Sequence, residues 1–258
     1  MKSMASWSTK RKFGYFFIFM AAIVVLVGLP AFFVFYKAPT CSDGVKNGTE
    51  RGVDCGGSCA RLCPADFAAP KVLWAYSVRV VPGIYNALAY VQNPNPSVEA
   101  RDLSYILKLY DAEGILVTQR VGKAFVPAGQ RFAVFVAGID VGKRTPVRAT
   151  FEFAGEPNWR QGSPLTKLRV LDTSLDQGQG GKPSARVRVR NDAPDRSYAN
   201  VDATVILYDK NDNRVAFSKT VIPSIGPNET QTLYYTWPEP FGAGIVRTEV
   251  LFAANPSR

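Results

Sequence analysis

All four cysteines of this 258-residue chain lie in one window, CSDGVKNGTERGVDCGGSCARLC, as Cys41, Cys55, Cys59 and Cys63. Four thiols this close can oxidise to two disulfides, or as thiolates hold a zinc ion. The C-x3-C-x3-C spacing of the last three is unlike the paired C-x2-C of zinc ribbons. The window has almost no large apolar side chains, so cross-links would replace a core it cannot build. We read disulfides; four cysteines permit three pairings, and the spacing selects none of them. The same window carries Asp43, Asn47, Glu50 and Asp54, hard oxygen ligands at near-regular spacing among glycines. Such a set suits Ca2+. The spacing is not that of an EF-hand, and Asp and Asn beside Gly are also ordinary turn residues. We expect no cofactor, with Ca2+ at this loop as the alternative.

Elsewhere the chemistry is sparse. The chain contains no histidine, which removes Ser-His and Cys-His nucleophile pairs and the commonest general base. Gly178-Gln179-Gly180-Gly181 lacks the lysine-serine pair of a phosphate-binding loop. No carboxylate pair stands out, and we expect no enzyme. In ARVRVRN, Arg186, Arg188 and Arg190 alternate with Val187 and Val189. In a strand this sends the arginines to one face and the valines to the other. The arginines then form a solvated face paired to neighbouring acids, or a surface for an anionic polymer or lipid headgroups.

The elements that position these residues begin with an apolar run, residues 13–36, without a charge in it. As a helix, 24 residues reach about 36 Å, enough to cross a hydrocarbon core of about 30 Å. The run is longer than a signal-peptide core, and the bulky FFVFYK after it offers no cleavage site. We therefore expect an uncleaved single-pass anchor whose partner is the lipid bilayer, with a kink at Pro30. Lys2, Lys10, Arg11 and Lys12 precede the run and Lys37 follows it. The positive-inside bias puts residues 1–12 in the cytoplasm and residues 38–258 outside. Those five cations account for half of the net charge of +10, which leaves 26 Lys and Arg against 21 Asp and Glu. That balance is only mildly basic, and no nucleic-acid partner is expected.

From residue 70 the pattern is β throughout: short runs rich in Val, Ile, Tyr and Phe, such as LSYILKLYD (103–111), separated by Pro, Gly, Asn and Asp. The segment at 89–117 aligns with 187–215 at an offset of 98, pairing Asn93 with Asn191 and Leu109-Tyr110-Asp111 with Leu207-Tyr208-Asp209. Two copies of about 90 residues suit two sandwiches of immunoglobulin-like size. Their boundary falls in the Pro- and Gly-rich stretch at 156–164, which reads as a linker. The domain reading is a tail (1–12), a membrane helix (13–36), a Cys-rich segment (38–66), one sandwich (70–155), the linker, and a second sandwich (165–254). The fold class is mainly β: two tandem Ig-like (fibronectin-III-like) β-sandwiches after one N-terminal transmembrane α-helix and a small disulfide-rich segment.

Two resemblances accompany this reading. The string Asp43-Gly44, Asn47-Gly48, Glu50, Gly52-Val53-Asp54-Cys55-Gly56-Gly57 and Cys59 resembles a short Cys-rich module of secreted and surface proteins of bacteria and archaea. That likeness implies surface exposure and no catalysis. The pieces Val91-Gln92-Asn93, Leu107-Lys108-Leu109-Tyr110-Asp111-Ala112-Glu113-Gly114 and Pro127-Ala128-Gly129 resemble the FxLYD and late-embryogenesis-abundant type 2 (WHy) families. The second copy has Leu207-Tyr208-Asp209 and Gly226-Pro227-Asn228, and it departs at Asn213, where an asparagine stands for the turn glycine. This likeness implies Ig-like sandwiches of binding or unassigned function. The Tyr and Asp of these elements are expected to be structural, with the aspartates opening turns.

The expected role is binding or structural: adhesion, or an accessory subunit of an envelope assembly, with a protein or cell-envelope partner. The competing reading is an ion- or ligand-binding module, with Ca2+ at the Cys-rich loop or a glycan on a sandwich face. Asn47-Gly-Thr and Asn228-Glu-Thr are glycosylation sequons.

Overall fold

Residues 7–31, 40–177 and 181–254 are described in the computed structural model. Part of the expected tail (1–6), the last residues of the expected membrane span (32–36), Lys37 and Gly178-Gln179-Gly180 lie outside them. The chain divides into two units after Cys59.

In the first unit, α1 (Trp7–Ile23) widens into a π turn over Val24–Gly28 and ends at residue 31. The widened turn stands just ahead of Pro30. Proline has no N–H for the carbonyl four residues earlier, and its ring crowds that carbonyl. A π turn relieves the crowding. Arg11–Ala31 is 21 residues, long and apolar enough to cross a membrane. Its large apolar side chains are exposed on all sides, so no stripe marks a face toward a protein core.

The second unit is a stack of four sheets. The first copy pairs β1 (Lys71–Val81), β2 (Ile84–Gln92) and β5 (Arg131–Asp140) in one sheet, order β1-β2-β5. Its other sheet is β4-β3-β6, from β3 (Val98–Tyr110), β4 (Leu116–Val126) and β6 (Arg148–Ala154). The second copy repeats this with β8 (Leu168–Asp176), β9 (Ser184–Asn191) and β12 (Thr230–Thr236) in order β12-β9-β8. Facing it are β10 (Tyr198–Tyr208), β11 (Arg214–Ile225) and β13 (Arg247–Ala254) in order β11-β10-β13. All pairings are antiparallel. The copies share even their irregularities: Asp102 and Asn200, 98 residues apart, both adopt positive φ at the start of the second strand pair. Short polar side chains tolerate that conformation, and in the first copy it marks a bulge between Ala100 and Leu103.

Each copy has its own core. Leu107, Leu109, Phe132 and Trp159 fill the first, and Val187, Val189, Val205, Leu207 and Ile222 the second. The segment read as a linker is not one. Trp159–Gln161 forms β7, which pairs with β3, and Trp159 is buried in the first core. An indole this large gains about 3 kcal/mol by leaving water, which outweighs the local Pro and Gly.

A third apolar cluster lies between the copies. Leu88 and Tyr90 of β2 meet Ile206 and Tyr208 of β10 and Phe217 of β11, with Trp74, Phe135 and Leu251 at the edges. Sheet β1-β2-β5 therefore packs on sheet β11-β10-β13, and β2 and β10 are covered on both faces. The two sandwiches form one body.

Candidate functional site

The Cys-rich loop follows turn chemistry. Cys41 is bonded to Cys59, Cys55 and Cys63 are also disulfide-bonded, and no cysteine is free. Asp43 Oδ1 accepts from Val45 N–H at 2.9 Å, and its Oδ2 accepts from Asn47 Nδ2 at 2.8 Å. Both Asp54 oxygens accept from Gly44 N–H, at 3.0 and 3.1 Å. Glu50 Oε2 accepts from Asn47 N–H and Asp54 N–H. The Asn47 amide and the Val45 and Thr40 N–H groups hold the Asp43 carboxyl below its usual range. Gly57 is obligatory, since a Cβ there would lie 1.9 Å from Thr49 O at a φ of +63°. Among the described residues, the one trio of ligand atoms within metal-binding distance is Cys41, Glu50 and Cys59. Two of these are the sulfurs of one disulfide and carry no thiolate. The four expected ligands share the loop: Asp43, Glu50 and Asp54 direct oxygens at its backbone donors, while Asn47 Oδ1 is buried without a hydrogen-bond partner among the described residues.

The repeated motifs are structural pins. Asn93 Nδ2 donates to Val98 O and Pro127 O, and its Oδ1 accepts from Asn95 N–H. Asn191 does the same with Arg196 O, Gly226 O and Ala193 N–H. Each amide ties two loops at one end of its sandwich, and burial without partners would be costly. Tyr110 and Tyr208 lie under the guanidinium groups of Arg148 and Arg247, 4.3 and 3.5 Å from the ring centres. Asp111 closes its turn onto Ile115 N–H and pairs with Arg144. Burial alone would raise its carboxyl, but Ile115 N–H and Arg144 outweigh this and hold it low. In the second copy the turn residue with positive φ is Asp212, not Asn213. Asn213 instead donates its N–H and Nδ2 to Asp209, because the true counterpart of Gly114 is 98 residues on, at 212.

The arginine stripe is set as the alternation required. Arg186, Arg188 and Arg190 face outward, while Val187 and Val189 are fully buried. Arg188 pairs with Asp172 at 3.2 Å, and Arg190 and Arg169 flank Asp192 at 3.2 and 2.7 Å. Arg169 holds the Asp192 carboxyl below its usual range. Among the described residues Arg186 has no ion pair, and its cross-strand neighbour Tyr234 is 67% exposed.

The offset of 98 gives the stripe a meaning. Arg186, Arg188 and Asp172 occupy the positions that Leu88, Tyr90 and Trp74 occupy in the first copy. There Trp74 stacks on Tyr90, 5.1 Å between ring centres, against the second copy. The opposite end of the stack repeats the substitution. Lys108, Gln119 and Glu152 stand where the second copy has Ile206, Phe217 and Leu251. Lys108 pairs with Glu152 at 2.9 Å. An ion pair thus stands on each outer sheet where the inner sheet has an apolar contact.

The sequence reading missed the junction between the copies. Tyr90 and Tyr208 each donate a hydroxyl to Glu249, at 2.6 and 2.9 Å. Burial, then the Glu249 carboxylate, pushes the Tyr90 phenol up to about 12 and raises that of Tyr208. Arg214 caps Trp74 across the junction at 4.3 Å, and Gln130 joins Phe252 O to Leu165 N–H. Glu249 stands immediately before the apolar run VLFAA of β13, and that charge was the available signal.

No protein-family model and no curated protein matches the chain. Among solved structures it is similar to a Bacteroides uniformis β-glucuronidase over 67% of its length and 26% of that chain, at 12% identity and a TM-score of 0.24. It is likewise similar to a GH2 β-galacturonidase from Eisenbergiella tayi over 67% of its length and 37% of that chain, at 12% identity and a TM-score of 0.20. The chain spans about a quarter to a third of those enzymes, and the likeness carries no argument about activity.

Proposed function

We propose that the chain is a single-pass, N-in membrane protein whose residues 38–258 act outside the cytoplasm in a binding or structural role without catalysis. Adhesion, or service as an accessory subunit of an envelope assembly, fits this role. The observation that carries the reading is the apolar helix Arg11–Ala31, exposed on every side, in a chain whose cysteines are all disulfide-bonded. Such a helix has no stable place in water, and disulfides persist in oxidising compartments. Two sandwiches packed on one another then offer strand edges and loops as recognition surface. Protease added to intact cells or spheroplasts should degrade the exported part and spare the tail. Protection of the whole chain, or a soluble mature form beginning after residue 36, refutes the assignment.

A further inference from the structure

Beside the junction lies a crevice of about 190 Å3 whose lining includes Tyr105, Lys123, Ala133, Phe135, Asp202 and Lys219. It has room for about six waters at ~30 Å3 each. Lys219 and Asp202 form a half-buried ion pair across one wall at 3.2 Å. Lys123 is exposed, and among the described residues it has no ion pair. The Tyr105 ring is buried and stacked on Phe151, and among the described residues its hydroxyl makes no hydrogen bond. Burial pushes its phenol up, so it stays a neutral donor. A glycine makes this placement possible. A Cβ on Gly122 would lie 2.5 Å from the Tyr105 hydroxyl, and a glycine inside a strand otherwise weakens it.

The repeat shows that this set is particular to the crevice. At the same offset the counterparts of Tyr105, Gly122, Lys123, Asp202 and Lys219 are Ala203, Thr220, Val221, Ser104 and Val121. None of these is charged. Among the described residues two lysines stand against one aspartate in the lining, and the donors without a hydrogen-bond or ion-pair partner are an ammonium and a phenol. The remaining walls are apolar: Ala133, Val134 and Phe135 on one strand, with Ala124, Phe125 and Ala253 beside them.

We propose that this crevice binds a small organic monocarboxylate, its carboxylate held by Lys123 and Tyr105 and its apolar body lying against Ala133 and Phe135. Lys219 is positioned by Asp202 and contributes the balancing charge. This is independent of where in the cell the chain resides.

The test is calorimetric titration of the full-length chain in detergent micelles with benzoate, its neutral counterpart benzamide, and inorganic phosphate. Benzoate should bind, and benzamide should bind at least about tenfold more weakly, the loss expected of one charge-assisted hydrogen bond. Lys123→Ala should weaken benzoate by about the same factor, and this exposed position leaves folding intact. Tyr105→Phe should weaken it severalfold while keeping the ring packing. Ala133→Leu should abolish it by filling the crevice, with a melting curve confirming the fold. Equal binding of benzamide, tighter binding of phosphate than of benzoate, unchanged affinity in Lys123→Ala, or no binding heat from millimolar benzoate would each overturn the proposal.

Discussion

The outer sheets of the stack should be what keeps the chain from adding a third sandwich. The copies meet head to tail: sheet β1-β2-β5 of the first packs on β11-β10-β13 of the second. A heterologous contact of this kind does not close on itself, and it can propagate from chain to chain. The two free faces are the same surfaces again, but with ion pairs where the junction has apolar contacts. Bringing wild-type outer faces together would desolvate Arg186, Arg188 and Lys108, at several kcal/mol per ion. Converting both faces to junction residues should remove that barrier: Arg186→Leu, Arg188→Tyr and Asp172→Trp on one, Lys108→Ile, Gln119→Phe and Glu152→Leu on the other. Six apolar side chains would then be buried per contact, about 1.5–3 kcal/mol each before the entropy of association is subtracted. A surplus of about 7 kcal/mol corresponds to a dissociation constant of about 10 µM. Sedimentation velocity of the full chain in micelles at ~0.1 mM should then show concentration-dependent oligomers for the sixfold variant. Wild type, and each threefold variant alone, should sediment as monomers. A folded sixfold variant that stays monomeric, or a wild type that associates equally, refutes the role given to these residues.

Four further outcomes are expected. Glu249→Ala removes the acceptor of two buried tyrosine hydroxyls and should lower stability by about 2–4 kcal/mol in denaturant titration, while Tyr90→Phe should recover part of that loss. Asn191→Ala strands two carbonyls and an N–H and should cost a similar amount, more than removal of any single stripe arginine at about 0–1 kcal/mol. The Tyr90 phenol titrates near 10 unfolded and about 12 folded, so its contribution is full below pH 10 and is lost as pH rises toward 12; the depressed Asp111, Asp192 and Asp209 carboxyls contribute above about 3.8 and lose that effect as pH falls further. Thermal melts across pH should therefore fall at both ends, with no step between about 5 and 9, where no histidine titrates. Calcium should leave the melting temperature within about 1 °C of its value in chelator, because the Asp43, Glu50 and Asp54 oxygens already serve backbone donors; a rise of several degrees would restore the cation reading.

What was legible in the sequence followed how many faces of each strand are covered. β9, ARVRVR, has one covered face, so its period of two placed the arginines and valines without error. β2 and β10 are covered on both faces, and their runs ALAYV and ATVILY are correspondingly continuous. Continuous runs of this kind give period-two reasoning no face to choose. Comparing the copies position by position would have exposed this, since Leu88 and Tyr90 become arginines 98 residues on while the inward residues stay apolar. Trp159 failed for a related reason: local Pro and Gly signalled a linker, but one buried indole outweighs them. The carboxylates of the Cys-rich loop had two outcomes open, because an oxygen spaced to meet a cation is also spaced to meet the N–H groups of tight turns. Where the loop is held by disulfides and glycines at positive φ, those N–H groups are already in place, and they take the oxygens first. The surface open to partners is thereby narrowed. If the ion pairs of the two outer sheets keep further copies away as predicted, the binding role proposed above would fall to the strand edges, the loops and the crevice of Tyr105 and Lys123, where the copies differ.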